Sequence, residues 1–141
     1  LNSVTELLLK LNSFIKKSNR EMMLSAAVKP NIEMAKKLYF QEWDMWLSGG
    51  LVDWVLVMNY GPNFQTFVDN ITAIENQISK SEFSKIIMGV ALYNQTPENA
   101  VKKIQYSYNA GFKGMALFSY NVITEHINKM KPVLSINTVD D

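Results

Sequence analysis

The sequence predicts an α/β fold in which four parallel strands alternate with helices. Four apolar runs of strand length are separated by longer stretches with apolar residues at helical spacing. The runs are apolar on both faces, which is typical of parallel strands covered by helices. The chain has 141 residues, of which 48% are hydrophobic and 19% are charged, and this composition predicts one globular domain.

The chain begins with a predicted helix and a short strand. Residues 3–17 carry apolar side chains at helical intervals, and Ser3 and Glu6 have the spacing of a capping box. Residues 22–30 form a short apolar run that ends at Pro30, which predicts a strand. A helix followed by a strand therefore opens the fold.

The next segments predict a long helix, a strand and another helix. Residues 32–50 have the pattern of a single helix that ends at Gly49 and Gly50. Residues 51–61 then form an apolar run that predicts the second strand. Residues 64–79 return to helical spacing, so the alternation repeats.

The third strand is predicted at residues 85–94, and a helix at 96–111 follows it. In this helix Thr96 is the predicted N-cap, Pro97 occupies the first helical position and Gly111 lies just past the end. These signals predict the start and the end of the helix.

A fourth strand at residues 113–121 and a short helix at 123–131 complete the predicted domain, which covers residues 1–132. Residues 133–141 form a tail with two interpretations. It is either a linker, or a short edge strand through residues 133–136.

Two architectures fit parallel strands joined by helices: a doubly wound sheet, or half of an eight-stranded βα barrel. Side-chain alternation favours the barrel, because small residues precede an aromatic residue on one face of the later strands. On this face the second predicted strand carries Leu56, Met58 and Tyr60, the third carries Gly89, Ala91 and Tyr93, and the fourth carries Gly114, Ala116 and Phe118. No glycine-rich phosphate-binding turn follows a strand, which weakens the doubly wound alternative without removing it.

Charge and composition narrow the classes of partner. The net charge is +1, so the chain lacks the basic character expected of a nucleic-acid-binding domain. No apolar run reaches the length of about 18 residues that predicts a membrane span. With no cysteine and one histidine, neither a disulfide nor a transition-metal site is expected, and no cofactor is predicted.

Aromatic residues recur where the predicted strands end. Tyr60, Tyr93 and Tyr120 occupy three such positions, and a tyrosine ring stacks on the apolar face of a sugar while its hydroxyl forms hydrogen bonds. Trp43 and Trp46 are instead predicted to pack outside the sheet, and Trp54 to face the helices.

Polar residues at the same strand ends have two interpretations. Asn59 and Asn94 either bind sugar hydroxyls or cap turns, a common role of asparagine. Lys29 either binds a carboxylate or hydroxyl-rich ligand or is an exposed lysine beside a turn.

The strands in this order resemble those of glycoside hydrolase family eighteen-like barrels. "LSAAVKP", "VMNYG", "MGVALYN" and "KGMALFSY" are similar to the fifth to eighth strands of that family. The stretch "WDMWLSGGLVDWVLVMNY", residues 43–60, is similar to glycosyl-hydrolase-like bacterial proteins with the pattern "W..WL..GLVD.V.PMNY". The resemblance covers nearly the whole chain and implies the C-terminal half of a (β/α)8 TIM barrel.

The resemblance also implies a substrate-binding wall. Met58 and Tyr60 would line the subsite where the sugar ring is cleaved, and Tyr93 would lie on the opposite wall. The sequence departs from the family at two positions: Gly61 replaces an aspartate that holds an acetamido group, and Phe118 replaces a tryptophan of the pocket floor. An N-acetyl sugar is therefore not implied.

The family's acidic motif ends its fourth strand, which would precede Leu1, so the catalytic acid is expected upstream of this chain. Two functions stay open: a glycoside hydrolase segment that supplies the substrate wall, or a non-catalytic carbohydrate-binding or scaffolding barrel. A carbohydrate partner is expected for the hydrolase and for the carbohydrate-binding barrel. The resemblance implies a secreted, periplasmic or lipoprotein-anchored parent. A half barrel would leave two strand edges open, which predicts that the isolated chain forms a homodimer.

Overall fold

The fold, seen in a computed structural model that describes residues 2–119 and 128–131, is a parallel sheet with helical connections. The elements in chain order are α1 (Ser3–Ser18), β1 (Ser25–Val28), α2 (Ile32–Tyr39), α3 (Trp43–Ser48), β2 (Trp54–Val57), α4 (Phe64–Gln77), a 3₁₀ helix (Lys80–Lys85), β3 (Ile86–Ala91), α5 (Pro97–Asn109) and β4 (Gly114–Phe118). Residues 128–131 are helical and lie inside the predicted helix 123–131.

The four strands form one sheet in the order β1-β2-β3-β4, and every neighbouring pair is parallel. The register pairs Val28 with Val57, Val57 with Met88, and Ala91 with Phe118. All the carboxyl ends therefore meet at one edge of the sheet. The prediction of an α/β fold with four parallel strands and alternating helices is confirmed.

Asparagine and threonine side chains begin the longer helices. Asn31, Asn63 and Thr96 each accept a hydrogen bond from the backbone N–H three residues later, which satisfies a group that the first helical turn leaves free. The predicted cap at Thr96 is thus confirmed. The predicted capping residue of α1 was wrong by one position, because Asn2 and not Ser3 accepts from the N–H of Thr5.

The helix predicted over residues 32–50 is divided in two. Phe40 follows α2 with a φ of 55°, in the left-handed region, and this turns the chain before α3 begins at Trp43. Trp43 and Trp46 of α3 are both buried, and the Trp43 indole N–H donates to the Lys29 carbonyl oxygen at 3.1 Å. Their amphipathic spacing was correct, but it did not reveal the break.

In β1 and β2, one face of the sheet is more deeply buried than the other. In β2, Val55 and Val57 are fully buried, whereas Trp54 and Leu56 are half-buried. Helix residues such as Phe67 complete the buried layer. Trp54 lies on the less buried face, so the prediction that it faces the helices was wrong. Side chains alternate between the faces of a strand, and Trp54 and Tyr60 are six residues apart, so both lie on the same face.

A chain of buried hydrogen bonds attaches α1 to α3. The indole N–H of Trp46 donates to Oγ1 of Thr5 at 2.9 Å, and the Thr5 hydroxyl donates to Oε2 of Glu42 at 2.8 Å. At the other end of α1, Lys16 lies 3.2 Å from a carboxylate oxygen of Asp53. Both contacts hold α1 beside the start of the sheet.

The outer edge of β1 is partly blocked by a side chain. The C=O of Val28 accepts from Met58 of the β2 segment, so the alternate residues Ala27 and Lys29 direct their backbone groups to the opposite edge. There the Gln41 amide accepts from the Lys29 N–H at 2.9 Å and donates to the Ala27 C=O at 3.4 Å. Gln41 therefore occupies groups that another strand would use.

Candidate functional site

Three aromatic side chains meet at the carboxyl edge of the sheet. The rings of Tyr60 and Phe118 stack with centroids 5.4 Å apart and planes inclined by 16°. The ring of Tyr93 meets Phe118 edge to face, with centroids 6.2 Å apart and an angle of 80°. We refer to Tyr60, Tyr93 and Phe118 as the aromatic cluster.

The cluster forms because the central strand carries small residues. Tyr60 follows β2 and Phe118 ends β4, and strands two places apart are separated by about 9.6 Å. The rings approach each other above β3, where Ala91 pairs with Phe118. A Cβ atom on Gly89 would lie 2.7 Å from Cε1 of Tyr60 and 2.6 Å from the Val57 carbonyl oxygen. Gly89 therefore provides the space in which the Tyr60 ring lies.

The cluster presents an uncharged surface in which the rings are apolar and the two tyrosine hydroxyls are polar. Tyr93 and Phe118 are 53% and 51% exposed, whereas Tyr60 is half-buried beneath them. Burial, with a smaller contribution from the Tyr93 hydroxyl, raises the pKa of Tyr60 above its ordinary value of 10.0. The Tyr60 phenol thus keeps its proton at neutral pH and is able to donate a hydrogen bond.

Two other predicted site residues lie next to the cluster. Met58 is half-buried, shares the face of Tyr60 by alternation, and donates its backbone N–H to Val28 at 2.8 Å. The Asn94 side chain donates to the Tyr60 carbonyl oxygen at 2.8 Å. Asn94 therefore supports the position of Tyr60, which corresponds to the loop role considered for it.

Asn59 lies on the other side of the strand end. It is 2% exposed, its Nδ2 donates to the Phe67 carbonyl at 3.1 Å, and its Oδ1 accepts from Asn70 at 2.9 Å. These bonds place its amide against α4 and away from the aromatic cluster. Asn59 therefore joins the end of β2 to α4.

Lys29 contributes to a separate groove. Its ammonium nitrogen lies 5.1 Å from the centre of the Tyr39 ring, a cation–π contact. The groove has a volume of about 260 Å³ and is lined by Lys29, Pro30, Asn31, Met34, Tyr39 and Asn70. The structure places the lysine beside Tyr39 of α2 and Asn70 of α4, in a groove that the aromatic cluster does not line.

The described loops that follow strands lack carboxylates. Residues 29–31, 58–63, 92–96 and 119 contain neither Asp nor Glu, and Asp53 precedes β2 at the opposite edge. Within residues 2–119 and 128–131, no three His, Asp or Glu side chains form a group able to hold a metal ion. Tyr120 and the tail 133–141 lie outside the described residues.

Sequence reasoning missed Lys103, which is fully buried beside the loop that follows β2. Its Nζ donates to the carbonyl oxygens of Gly61 at 2.7 Å and Pro62 at 3.0 Å. The helical spacing of the sequence could have indicated this burial. Ala100, Ile104 and Ser107 form the buried stripe of α5, and Lys103 falls within it.

Comparisons of the chain with protein-family models, curated proteins and solved structures gave no match. In the described part of the chain, every helix is too short or too polar to cross a membrane. The geometry of the site therefore carries the functional argument.

Proposed function

We propose that the aromatic cluster binds carbohydrate, and that the chain supplies the substrate wall of a glycoside hydrolase-like barrel. The observation that carries this proposal is the convergence of Tyr60, Tyr93 and Phe118 at the carboxyl edge of parallel strands. Aromatic rings stack against the apolar face of a sugar, and the two phenol groups are suited to its hydroxyls. The surface is uncharged, which fits a neutral glycan.

The proposed parent fold is a (β/α)8 TIM barrel, of which this chain forms the C-terminal half. Three features support this: sequential parallel strands, a less buried sheet face, and a cluster at the carboxyl edge, where barrel enzymes carry their sites. The domain would comprise residues 1–132, with 133–141 as tail or linker.

Hydrolysis of a glycosidic bond uses a carboxylic acid to protonate the leaving oxygen and a second group to stabilise the anomeric carbon. The described strand-end loops offer no such acid. In the hydrolase proposal the acid comes from residues outside this chain, while Met58 and the aromatic cluster hold the sugar. We expect the chain alone to release no reducing sugar from any glycan.

The second candidate is a non-catalytic carbohydrate-binding or scaffolding barrel. The lack of Asp and Glu in the described strand-end loops favours it, because binding by stacking requires no acid. The hydrolase and the carbohydrate-binding barrel use the same aromatic surface, so a binding experiment tests what they share and separates both from a scaffolding barrel.

We further propose that the isolated chain forms a homodimer through exposed strand edges. In the described residues β4 pairs with β3 on one side only, and the Gln41 amide covers just part of the β1 edge. Unpaired backbone groups at a sheet edge favour pairing with another chain.

The test is titration of the chain with hexasaccharides of glucose and of N-acetylglucosamine, followed by NMR of the aromatic rings. We expect the Tyr60 and Phe118 resonances to shift, and Tyr60→Ala to weaken affinity about tenfold, since a ring contact contributes about 1.4 kcal/mol. Tyr108→Ala is the matched control, because Tyr108 is 60% exposed on α5. Absence of any shift in the wild type with either sugar, or equal losses in both variants, would contradict the proposal.

A further inference from the structure

The loop after β2 is held by side chains from the segment that follows β3. The carbonyl oxygens of three successive residues, Tyr60, Gly61 and Pro62, all accept hydrogen bonds from it. Asn94 donates to Tyr60 at 2.8 Å, and Lys103 donates to Gly61 at 2.7 Å and to Pro62 at 3.0 Å. Asn99 also donates to Pro62, at 2.8 Å. No backbone ladder provides these bonds, so the side chains fix the course of the loop.

Packing alone does not hold this loop. Gly61, Pro62 and Asn63 are exposed, and no described residue lies within 4 Å of the position of a Cβ atom on Gly61. An exposed loop has high conformational freedom unless specific bonds restrict it. The carbonyl acceptors therefore account for its defined position.

Lys103 is the central donor. Its side chain is fully buried, and its ammonium lies 5.3 Å from the centre of the Phe67 ring. Burial lowers its pKa, because the charged form loses solvation. In the described part of the chain the ammonium contacts carbonyl oxygens and a ring, and the ion pairs found there involve other lysines. Its charge is thus directed at the loop and not at a carboxylate.

We infer that Lys103, assisted by Asn94 and Asn99, is a positioning residue for the sugar-stacking face of Tyr60. Asn94 fixes the Tyr60 carbonyl, and Lys103 and Asn99 fix those of Gly61 and Pro62. Together they keep the Tyr60 ring over Gly89 and stacked on Phe118 before ligand binds. Preorganisation of this kind reduces the entropy lost on binding. The effect of Lys103 on sugar affinity rests on the proposed function. Its effect on the placement of the Tyr60 ring does not.

The experiment compares Lys103→Met with Lys102→Met. Methionine keeps an apolar stem against Phe67 and removes the donor, and Lys102 is exposed on the same helix. Ring-current shifts of Tyr60 are measured first without ligand, and then affinity for the hexasaccharide that the wild type binds. In Lys103→Met we expect the Tyr60 shifts to move toward unstacked values. We expect the affinity to fall about tenfold, because the ligand must then order the loop at a cost of about 1.4 kcal/mol. Lys103→Arg, which retains donors, should restore part of both, whereas Lys102→Met should change neither.

A folded Lys103→Met with wild-type Tyr60 shifts would overturn the inference. If Lys103→Met does not fold, Lys103→Leu decides by the same readout, because it fills the same buried helix face with an apolar side chain and removes the donor. Displaced Tyr60 resonances then support the inference, and unchanged ones refute it. If the wild type binds neither hexasaccharide, the proposed function fails, while the ligand-free shifts still decide the positioning role.

Discussion

Gly89→Ala tests whether the aromatic cluster depends on empty space above the central strand. The added Cβ would lie 2.6 Å from the Val57 carbonyl oxygen and 2.7 Å from Cε1 of Tyr60. The carbonyl is part of the β2 backbone and moves only with the strand. The Tyr60 ring is the more mobile neighbour, so we expect it to be displaced from Phe118.

The magnitude follows from three contributions. Overfilling a packed region costs about 1–3 kcal/mol. Loss of the stacked Tyr60–Phe118 pair lowers the free energy of unfolding by a further amount of about 0.5–1.5 kcal/mol. Alanine has a lower backbone entropy than glycine in the unfolded chain, and this raises the free energy of unfolding by about 0.5–1 kcal/mol. We therefore expect the free energy of unfolding to fall by about 2 kcal/mol, which shifts a urea midpoint by about 1 M.

The assay is urea unfolding monitored by circular dichroism, with aromatic NMR of the folded state. Gly114→Ala in β4 is the matched control, because within residues 2–119 and 128–131 no atom lies within 4 Å of the position of its Cβ. We expect that control to be neutral or stabilised by up to about 1 kcal/mol. Equal stability of Gly89→Ala and the wild type, with unchanged Tyr60 resonances, would refute the role of Gly89.

Three further predictions concern other parts of the molecule. Thr5→Val should lower the free energy of unfolding by about 1–3 kcal/mol, because the buried Trp46 N–H loses its acceptor; thermal unfolding measures this, and the exposed Thr66→Val should have little effect. The raised pKa of Tyr60 stabilises the fold below pH 10, and that contribution is lost as pH rises through the raised pKa. Stability measured from pH 9 to 11 should therefore fall less in Tyr60→Phe than in the wild type, and equal slopes would contradict this. Gln41→Ala should increase self-association in sedimentation velocity, because it frees the Lys29 N–H and the Ala27 C=O at the β1 edge. The exposed Gln65→Ala is its control, and equal sedimentation of both variants would count against the edge-blocking role.

The alternation of strands and helices was predictable because it depends on local patterns. Apolar runs on both faces, Thr96 before Pro97, and Gly111 after α5 are each short-range signals. The break at Phe40 was not predictable in the same way. A left-handed φ at phenylalanine is disfavoured locally, so tertiary packing of α2 and α3 must stabilise it.

The candidate site also contains residues that local patterns located and residues that they did not. Side-chain period placed Tyr60, Tyr93 and Phe118 on one face at one edge, and parallel register then brought them together. Period fixes only the direction of a Cα–Cβ bond, so it is least informative for long side chains. Lys29 illustrates this, because its flexible stem carries the charge to the Tyr39 ring.

Lys103 shows how a violated pattern indicates a role. A lysine within the buried stripe of α5 contradicts the amphipathic rule unless its ammonium has acceptors, and burying it costs solvation energy. The acceptors are carbonyls of the loop that follows Tyr60, at the edge where the aromatic cluster lies. A leucine at position 103 would fill the helix face without that solvation loss, but it would leave the Gly61 carbonyl without its donor and the Pro62 carbonyl with Asn99 alone. The residue that weakens the core pattern is therefore the one that defines the loop beside the site.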